Sequence, residues 1–147
     1  MRVFADTSGL YAVLDRDDRF HDDAVEVWRG VVKGGRKMLT SSYVLVECSA
    51  LVQRRLGMDA LRDLLSVMTR VVKVRPVSAR THQVAVRLLL QENRRDLSLV
   101  DCVSFGVMHD LGLRHAFAFD PHFERFGFIQ LRASALRSAS GPRAPSP

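Results

Sequence analysis

The sequence predicts one α/β domain, with helices packed on both faces of a central parallel sheet, and three observations carry that reading. Short apolar runs at residues 3–5, 37–40, 71–74, 115–119 and 128–131 read as strands, and most are separated by segments of helical period. The first run, Val3-Phe4-Ala5, is continuously apolar, as in a strand buried on both faces. It stops abruptly at Asp6-Thr7-Ser8-Gly9, so a carboxylate stands at the carboxyl end of a strand. In open α/β sheets ligands bind at that edge, because the strand ends there and the next helix begins with unpaired N–H groups. Capping the helix that begins near Leu10 is an equally simple role for Asp6.

Each element follows from local signals. Leu10 to Leu14 begin a helix that gives way to the mixed-charge run DRDDRFHDD at residues 15–23, a solvated connection. Asp22 or Asp23 can start the next helix, whose apolar positions are Ala24, Val27, Trp28 and Val31, and Gly34-Gly35 end it. After the second strand, Ser41 or Ser42 can cap a helix over residues 43–56, closed by Gly57, and residues 58–69 read as helical again. The third strand is ended by Pro76, and residues 78–93 form a helix with Val84, Ala85, Leu88 and Leu89 on one face. Ser98 caps a helix closed by Gly112, and Asp120-Pro121-His122-Phe123 turns the chain into the last strand. Right-handed βαβ connections make the sheet parallel. The folded domain is expected over residues 1–131. Residues 132–147, rich in Ala, Ser, Pro and Arg, are expected to be disordered, with Arg137 and Arg143 adding diffuse positive charge.

Composition narrows the function. With 147 residues the chain fits a single domain, and 47% hydrophobic content suits a packed globule. A formal charge of +6 predisposes it to polyanions. Cys48 and Cys102 are too few for a disulfide scaffold, and no Cys/His cluster marks a zinc site. No basic segment leads into a long apolar one and no apolar run approaches ~20 residues, so a soluble cytoplasmic protein without membrane association is expected.

Three more carboxylates stand at element ends. Glu47 lies on an apolar stripe of its helix, where an unpaired acid is rarely buried. Asp101 follows Ser98 by three residues, which fits a capping box as well as a ligand. Asp120 follows AFAF and precedes Pro121, as an N-cap also would. If the first and fourth strands are neighbours, Asp6 and Asp120 leave the same edge, and the helix start carrying Asp101 can face it. Converging carboxylates repel one another unless a cation neutralises them. Oxygen donors without His or Cys point to Mg²⁺ or Mn²⁺. In a basic chain such a pocket faces a phosphodiester, with an activated water as nucleophile.

Together, VFADTSGLYAVLDRDDRFHDDA, TSSYVLVE, DLSLVDCVSFGVMHDLG and AFAFDPHF resemble the PIN-domain family, and within it the VapC-type ribonuclease toxins of toxin–antitoxin pairs. With these four segments in this order, the resemblance covers roughly residues 1–131, nearly everything outside the tail. The resemblance implies a three-layer α/β/α PIN-like fold with strand order 3-2-1-4-5 and a metal-dependent endoribonuclease leaving 5′-phosphate and 3′-hydroxyl ends. It implies that Asp6 and Asp101 mainly hold Mg²⁺ or Mn²⁺, that Glu47 and Asp120 join directly or through water, and that Ser8 helps arrange the first acid. It also implies an RNA substrate, a cognate antitoxin and a homodimer, for which apolar positions over residues 43–69 offer an interface.

Arg54, Arg55, Arg94 and Arg95 can hold an RNA backbone, or simply be solvated helix ends. Asp96 can border the site or be a solvated loop carboxylate. The five histidines show no ligand spacing, and Cys48 and Cys102 read as small buried residues. Phe4, Phe105, Phe117, Phe119 and Trp28 read as core. Alternative functions are an RNA-processing nuclease of the same fold, or a non-catalytic module that binds RNA or a basic peptide in the acidic pocket. A dehalogenase-like phosphatase is disfavoured, because it needs a second Asp where Ser8 stands.

Overall fold

The structure is a computed structural model that describes residues 1–139 and residue 141. Five strands, β1 (Arg2–Ala5), β2 (Lys37–Ser41), β3 (Val72–Arg75), β4 (His115–Phe117) and β5 (Ile129–Gln130), form one sheet in the order β3-β2-β1-β4-β5. Every pairing is parallel, with Phe4 opposite Leu39 on one side and Ala116 on the other. The implied topology is therefore the observed one. Val3, Phe4 and Ala5 are fully buried. Successive strand residues face opposite sides, so both faces of the sheet are covered.

The helices are α1 (Thr7–Leu14), α2 (His21–Lys33), α3 (Ser42–Leu56), α4 (Met58–Arg62), α5 (Ala79–Glu92), α6 (Leu99–Asp110), α7 (His122–Arg125) and α8 (Ala133–Ala139). α1 starts at Thr7, earlier than Leu10, because the Asp6 carbonyl already accepts from the Gly9 and Leu10 N–H groups. Ser41, Ser78 and Ser98 cap α3, α5 and α6 through their hydroxyls, satisfying N–H groups that would otherwise lack partners. Residues 58–69 do not form one helix. After α4 the chain widens into a π turn at Asp63–Val67 and tightens into a 3₁₀ turn at Met68–Arg70 before β3.

Two expectations for the start of α2 and for the tail are corrected together. α2 begins at His21 with no side-chain cap, because Phe20 stands at the cap position and Asp22 and Asp23 fall within the first turn; Asp23 Oδ1 accepts instead from the Ala133 N–H at 2.8 Å. Residues 133–139 are not disordered but form α8, packed on α2, with Ala133 buried and Arg137 paired to Glu26. A segment expected to have little to bury is thus ordered by contacts with a distant helix. The expectation for Arg143 falls outside the described residues.

β4 and β5 are shorter than the apolar runs suggest. Residues 118–119 leave the ladder because the Ala118 carbonyl accepts from Arg132 at 3.0 Å and the Phe119 N–H donates to Ser8 Oγ at 2.9 Å. The core is aromatic at that end. Phe105 packs against Phe123, Phe126 and Phe128 with centroids 5.1, 4.4 and 5.6 Å away, and Phe20 stacks on Phe119 at 4.6 Å. Trp28, expected in the core, is partly buried and lies 6.4 Å from the Phe117 ring.

Gly9 sets how closely α1 approaches β4. A Cβ at this position would sit 2.3 Å from the Phe117 carbonyl oxygen, far inside contact distance and against backbone that cannot swing away. In most helices Gly→Ala adds stability of up to about 1 kcal/mol. Here Gly9→Ala is expected to lose roughly 1–3 kcal/mol through overpacking, measured as a lower urea midpoint with unchanged m-value. A stabilised variant would refute the close approach.

Candidate active site

β1, the start of α3, the start of α6 and the turn after β4 deliver the four acids. Asp6 remains tied to the sheet, its N–H donating to the Phe117 carbonyl at 3.0 Å, and its backbone is extended as a helix cap requires. Its Oδ2 accepts from the Ser8 N–H at 3.1 Å and the Ser8 hydroxyl at 2.6 Å. The same hydroxyl accepts from Phe119, so Ser8 locks the first acid to the end of β4. Thr40 ties the neighbouring strand in, donating to the Ala5 carbonyl at 2.7 Å. The capping role considered for Asp6 and a place in an acidic site therefore coexist.

Asp101 shows the same duality. Its N–H donates to Ser98 Oγ at 3.0 Å and its Oδ2 accepts from the Ser98 N–H at 3.1 Å, a complete capping box. Asp120 uses Oδ1, which accepts from the His122 N–H at 2.9 Å and lies 2.7 Å from His122 Nδ1. Pro121, not Asp120, is the cap residue of α7. Glu47 is half-buried and carries no side-chain hydrogen bond among the described residues.

Asp6, Asp101 and Asp120 thus each commit one side-chain oxygen to local bonds, which leaves the other without a protein partner among the described residues. Asp101, Asp120 and His122 offer ligand atoms within 4.8 Å of one another. Asp6 sits close enough to Asp101 and Glu47 to feel both charges. Burial pushes the Asp6 carboxyl up to about 7, against the pull of the Ser8 bonds, and those two charges add to the rise. Burial likewise raises Asp101, helped by Asp120 and opposed by Ser98 and His122.

The surroundings are mixed. A cleft of about 400 Å³ lined by Thr7, Glu47, Ala50, Leu51 and Arg54 opens beside the start of α1. Arg55 lies over the Tyr11 ring at 5.9 Å, and Arg95 is exposed. A second cleft of about 410 Å³ lies between α5 and α6, but it is apolar and holds none of the four acids. Burial pushes the Cys48 thiol up to about 12 and the Cys102 thiol up to about 11, which keeps both protonated and unreactive.

Sequence reasoning missed His122. It is buried among Asp120, Asp96 and Asp101, with Nε2 3.2 Å from Asp96 Oδ2 and Nδ1 3.9 Å from Asp101 Oδ2. Only the Asp120-Pro121-His122 spacing hinted at it, since Asp readily accepts from the N–H two residues on. Asp96 is not merely solvated: the Arg94 guanidinium beside it holds its carboxyl below the usual range.

The sequence profile of the PIN domain matches residues 3–129. The chain belongs to the PIN-domain family. Among curated PIN proteins it is 33% identical over 131 residues to the 23S rRNA-specific endonuclease VapC20 of Mycobacterium tuberculosis, covering 88% of this chain and 98% of the relative. The crystal structure of that VapC20, described as a sarcin–ricin loop cleaving toxin, superposes with a TM-score of 0.78 at 32% identity, over 88% of this chain and 98% of the other. VapBC2 of Rickettsia felis, solved with a DNA fragment of its promoter, shares the fold at a TM-score of 0.66 and 15% identity, covering 89% and 98%. No helix among the described residues of this PIN chain is long and apolar enough to cross a membrane.

The raised Asp6 carboxyl has a thermodynamic signature. Folded Asp6 titrates near 7 against an ordinary 3.8, so the folded state holds the proton more tightly and stability falls as pH rises between those values. Asp6→Asn keeps an acceptor for Ser8 and removes the charge. It is expected to match wild type below about pH 4 and to gain of order 2–4 kcal/mol by about pH 7.5 in metal-free buffer. Urea denaturation across that range checks the sign, and parallel pH profiles would contradict it.

Proposed function

We propose that this PIN chain is a divalent-metal-dependent endoribonuclease and the toxin of a toxin–antitoxin pair. The observation that carries the reading is the unpartnered oxygen on each of Asp6, Asp101 and Asp120: Asp101 and Asp120 offer ligand atoms within 4.8 Å of each other, and Asp6, outside that group, is close enough to Asp101 to feel its charge. The fold uses half of each carboxylate to fix its direction and leaves the other half available. The free donor atoms on these acids are all oxygen and the acids raise one another's carboxyls, which fits a hard ion such as Mg²⁺ or Mn²⁺. Asp6 and Asp101 would hold it, with Glu47 and Asp120 joining directly or through water. When bound, such an ion lowers the pKa of water and offsets charge on a leaving oxygen.

The chain's own residues supply the rest. Ser8 keeps Asp6 in a single direction, and the Ser98 capping box does the same for Asp101. Arg54 lines a cleft with Glu47, and Arg94 is held by Asp96 beside His122; with Arg55 and Arg95 they would supply the positive charge that phosphates of an RNA strand need. Val46, Met58, Leu65 and Val67 are exposed apolar side chains within residues 43–69, which supports that stretch as a homodimer interface. A cognate antitoxin would cover the acidic edge. An RNA substrate fits a cytoplasmic site of action.

Similarity to VapC20 makes ribosomal RNA the first substrate to offer. Purified, antitoxin-free chain is expected to cut a hairpin carrying the sarcin–ricin loop, or discrete sites in total RNA, with Mg²⁺ or Mn²⁺ and not with EDTA. Asp6→Asn and Asp101→Asn should each lose cleavage by roughly a hundredfold or more while remaining folded. Well-folded wild type that binds RNA but cuts nothing under any ion would instead establish the non-catalytic module.

A further inference from the structure

Beyond the four acids, His122 occupies a position that packing alone does not account for. It is 7% exposed, at the first residue of α7. One side of the residue clasps Asp120: the backbone N–H and the ring Nδ1 both converge on Oδ1, at 2.9 and 2.7 Å. The ring's other nitrogen, Nε2, lies 3.2 Å from Oδ2 of Asp96. That carboxylate is also gripped by Arg94, through Nε at 3.2 Å and Nη2 at 3.0 Å, and it has Arg125 Nη1 at 3.6 Å. A histidine serving only the core would turn its ring toward apolar neighbours and satisfy one nitrogen. Here both nitrogens end on carboxylates of different segments.

The two ends do different things. At the Asp120 end, two contacts on one oxygen fix the carboxylate's rotation, so its other oxygen has a single direction beside Asp101, whose own Oδ2 lies 3.9 Å from Nδ1. At the Asp96 end, a single carboxylate is shared by two guanidinium groups, which leaves net positive charge there. The Arg94 and Arg125 side chains are 42% and 52% exposed, with N–H groups left over for a phosphate. Asp96 also stands two residues before Ser98, whose hydroxyl and N–H hold Asp101. The ring therefore spans the acids and the charged rim.

We propose that His122 is a two-ended positioning residue: through Nδ1 it holds Asp120 beside Asp101, and through Nε2 it anchors the Asp96–Arg94–Arg125 cluster on which an RNA phosphate rests. This rests on the nuclease reading above and adds a residue and a phosphate contact to it. Outer partners that orient ligating carboxylates are worth 10- to 100-fold in metal affinity or activity. The rim contributes to substrate binding and not to the chemistry.

The two ends are separable by substitution. His122→Ala removes both; His122→Asn places an amide N–H near the Nδ1 position but is too short to reach Asp96. Full-length wild type and both variants are compared by Mn²⁺ binding in electron paramagnetic resonance, by kcat and KM on the cleaved RNA, and by Tm, with assays held well below the lowest Tm. His122→Ala is expected to lose roughly 10- to 100-fold in Mn²⁺ affinity and kcat, with a raised KM. His122→Asn should recover Mn²⁺ affinity and kcat to within about threefold of wild type while KM stays raised. Variants that differ from wild type in Tm alone, or an Asn variant no better than Ala in any of the three readouts, would overturn the proposal while the nuclease reading stands. Wild type that neither binds Mn²⁺ nor cleaves RNA would overturn both.

Discussion

Like charges gathered at one edge of a sheet are the constraint on which this structure turns. Two carboxylates about 5 Å apart at an effective dielectric of ~20 repel by about 3 kcal/mol, and burial adds the cost of lost hydration. The fold meets that cost with short-range hydrogen bonds, each spending one carboxylate oxygen: Ser8 on Asp6, Ser98 on Asp101, His122 on Asp120. Because these bonds span only two or three residues, each acid is oriented by its own element. The packing of elements then brings the oriented acids together.

That packing rests on backbone approaches with little tolerance. Asp6 reaches the site because β1 lies between β2 and β4, because its N–H still pairs with Phe117, and because Gly9 lets α1 close onto that same carbonyl. Ser8 Oγ bridges 111 residues of sequence to Phe119, so the first acid and the end of β4 are one unit. Behind it Phe4, Phe117 and Phe123 are fully buried, supplying the apolar stabilisation that offsets an electrostatically costly edge. The acidic edge belongs to a chain of net charge +6, with Arg54 in a cleft beside Glu47 and Arg94 and Arg125 on Asp96.

Several elements were legible because the signals that form them are local. Continuous apolar runs marked the strands, and hydroxyls at Ser41 and Ser98 marked helix starts where the structure has them. Asp6, Glu47 and Asp101 stood out as acids in apolar or cap positions. Other features were illegible for a common reason. α8 has no strong helical period of its own and is held to α2 by Asp23, 110 residues from Ala133. His122 meets Asp96 across 26 residues with no repeating spacing to announce it. The truncation of β4 comes from side chains of Ser8 and Arg132 taking over its backbone groups.

The sequence by itself determined the alternation of strands and helices, the parallel sheet this forces, and the placing of an acid at each element end, since propensity, caps and hydrophobic period act within a few residues. It also carried the family resemblance. Only the tertiary structure decided which side-chain oxygen each acid keeps unpartnered, that His122 and Asp96 join the edge, and that residues 133–139 turn into a helix. Those are outcomes of contacts between distant segments, whose energies depend on distance and burial that no local pattern encodes.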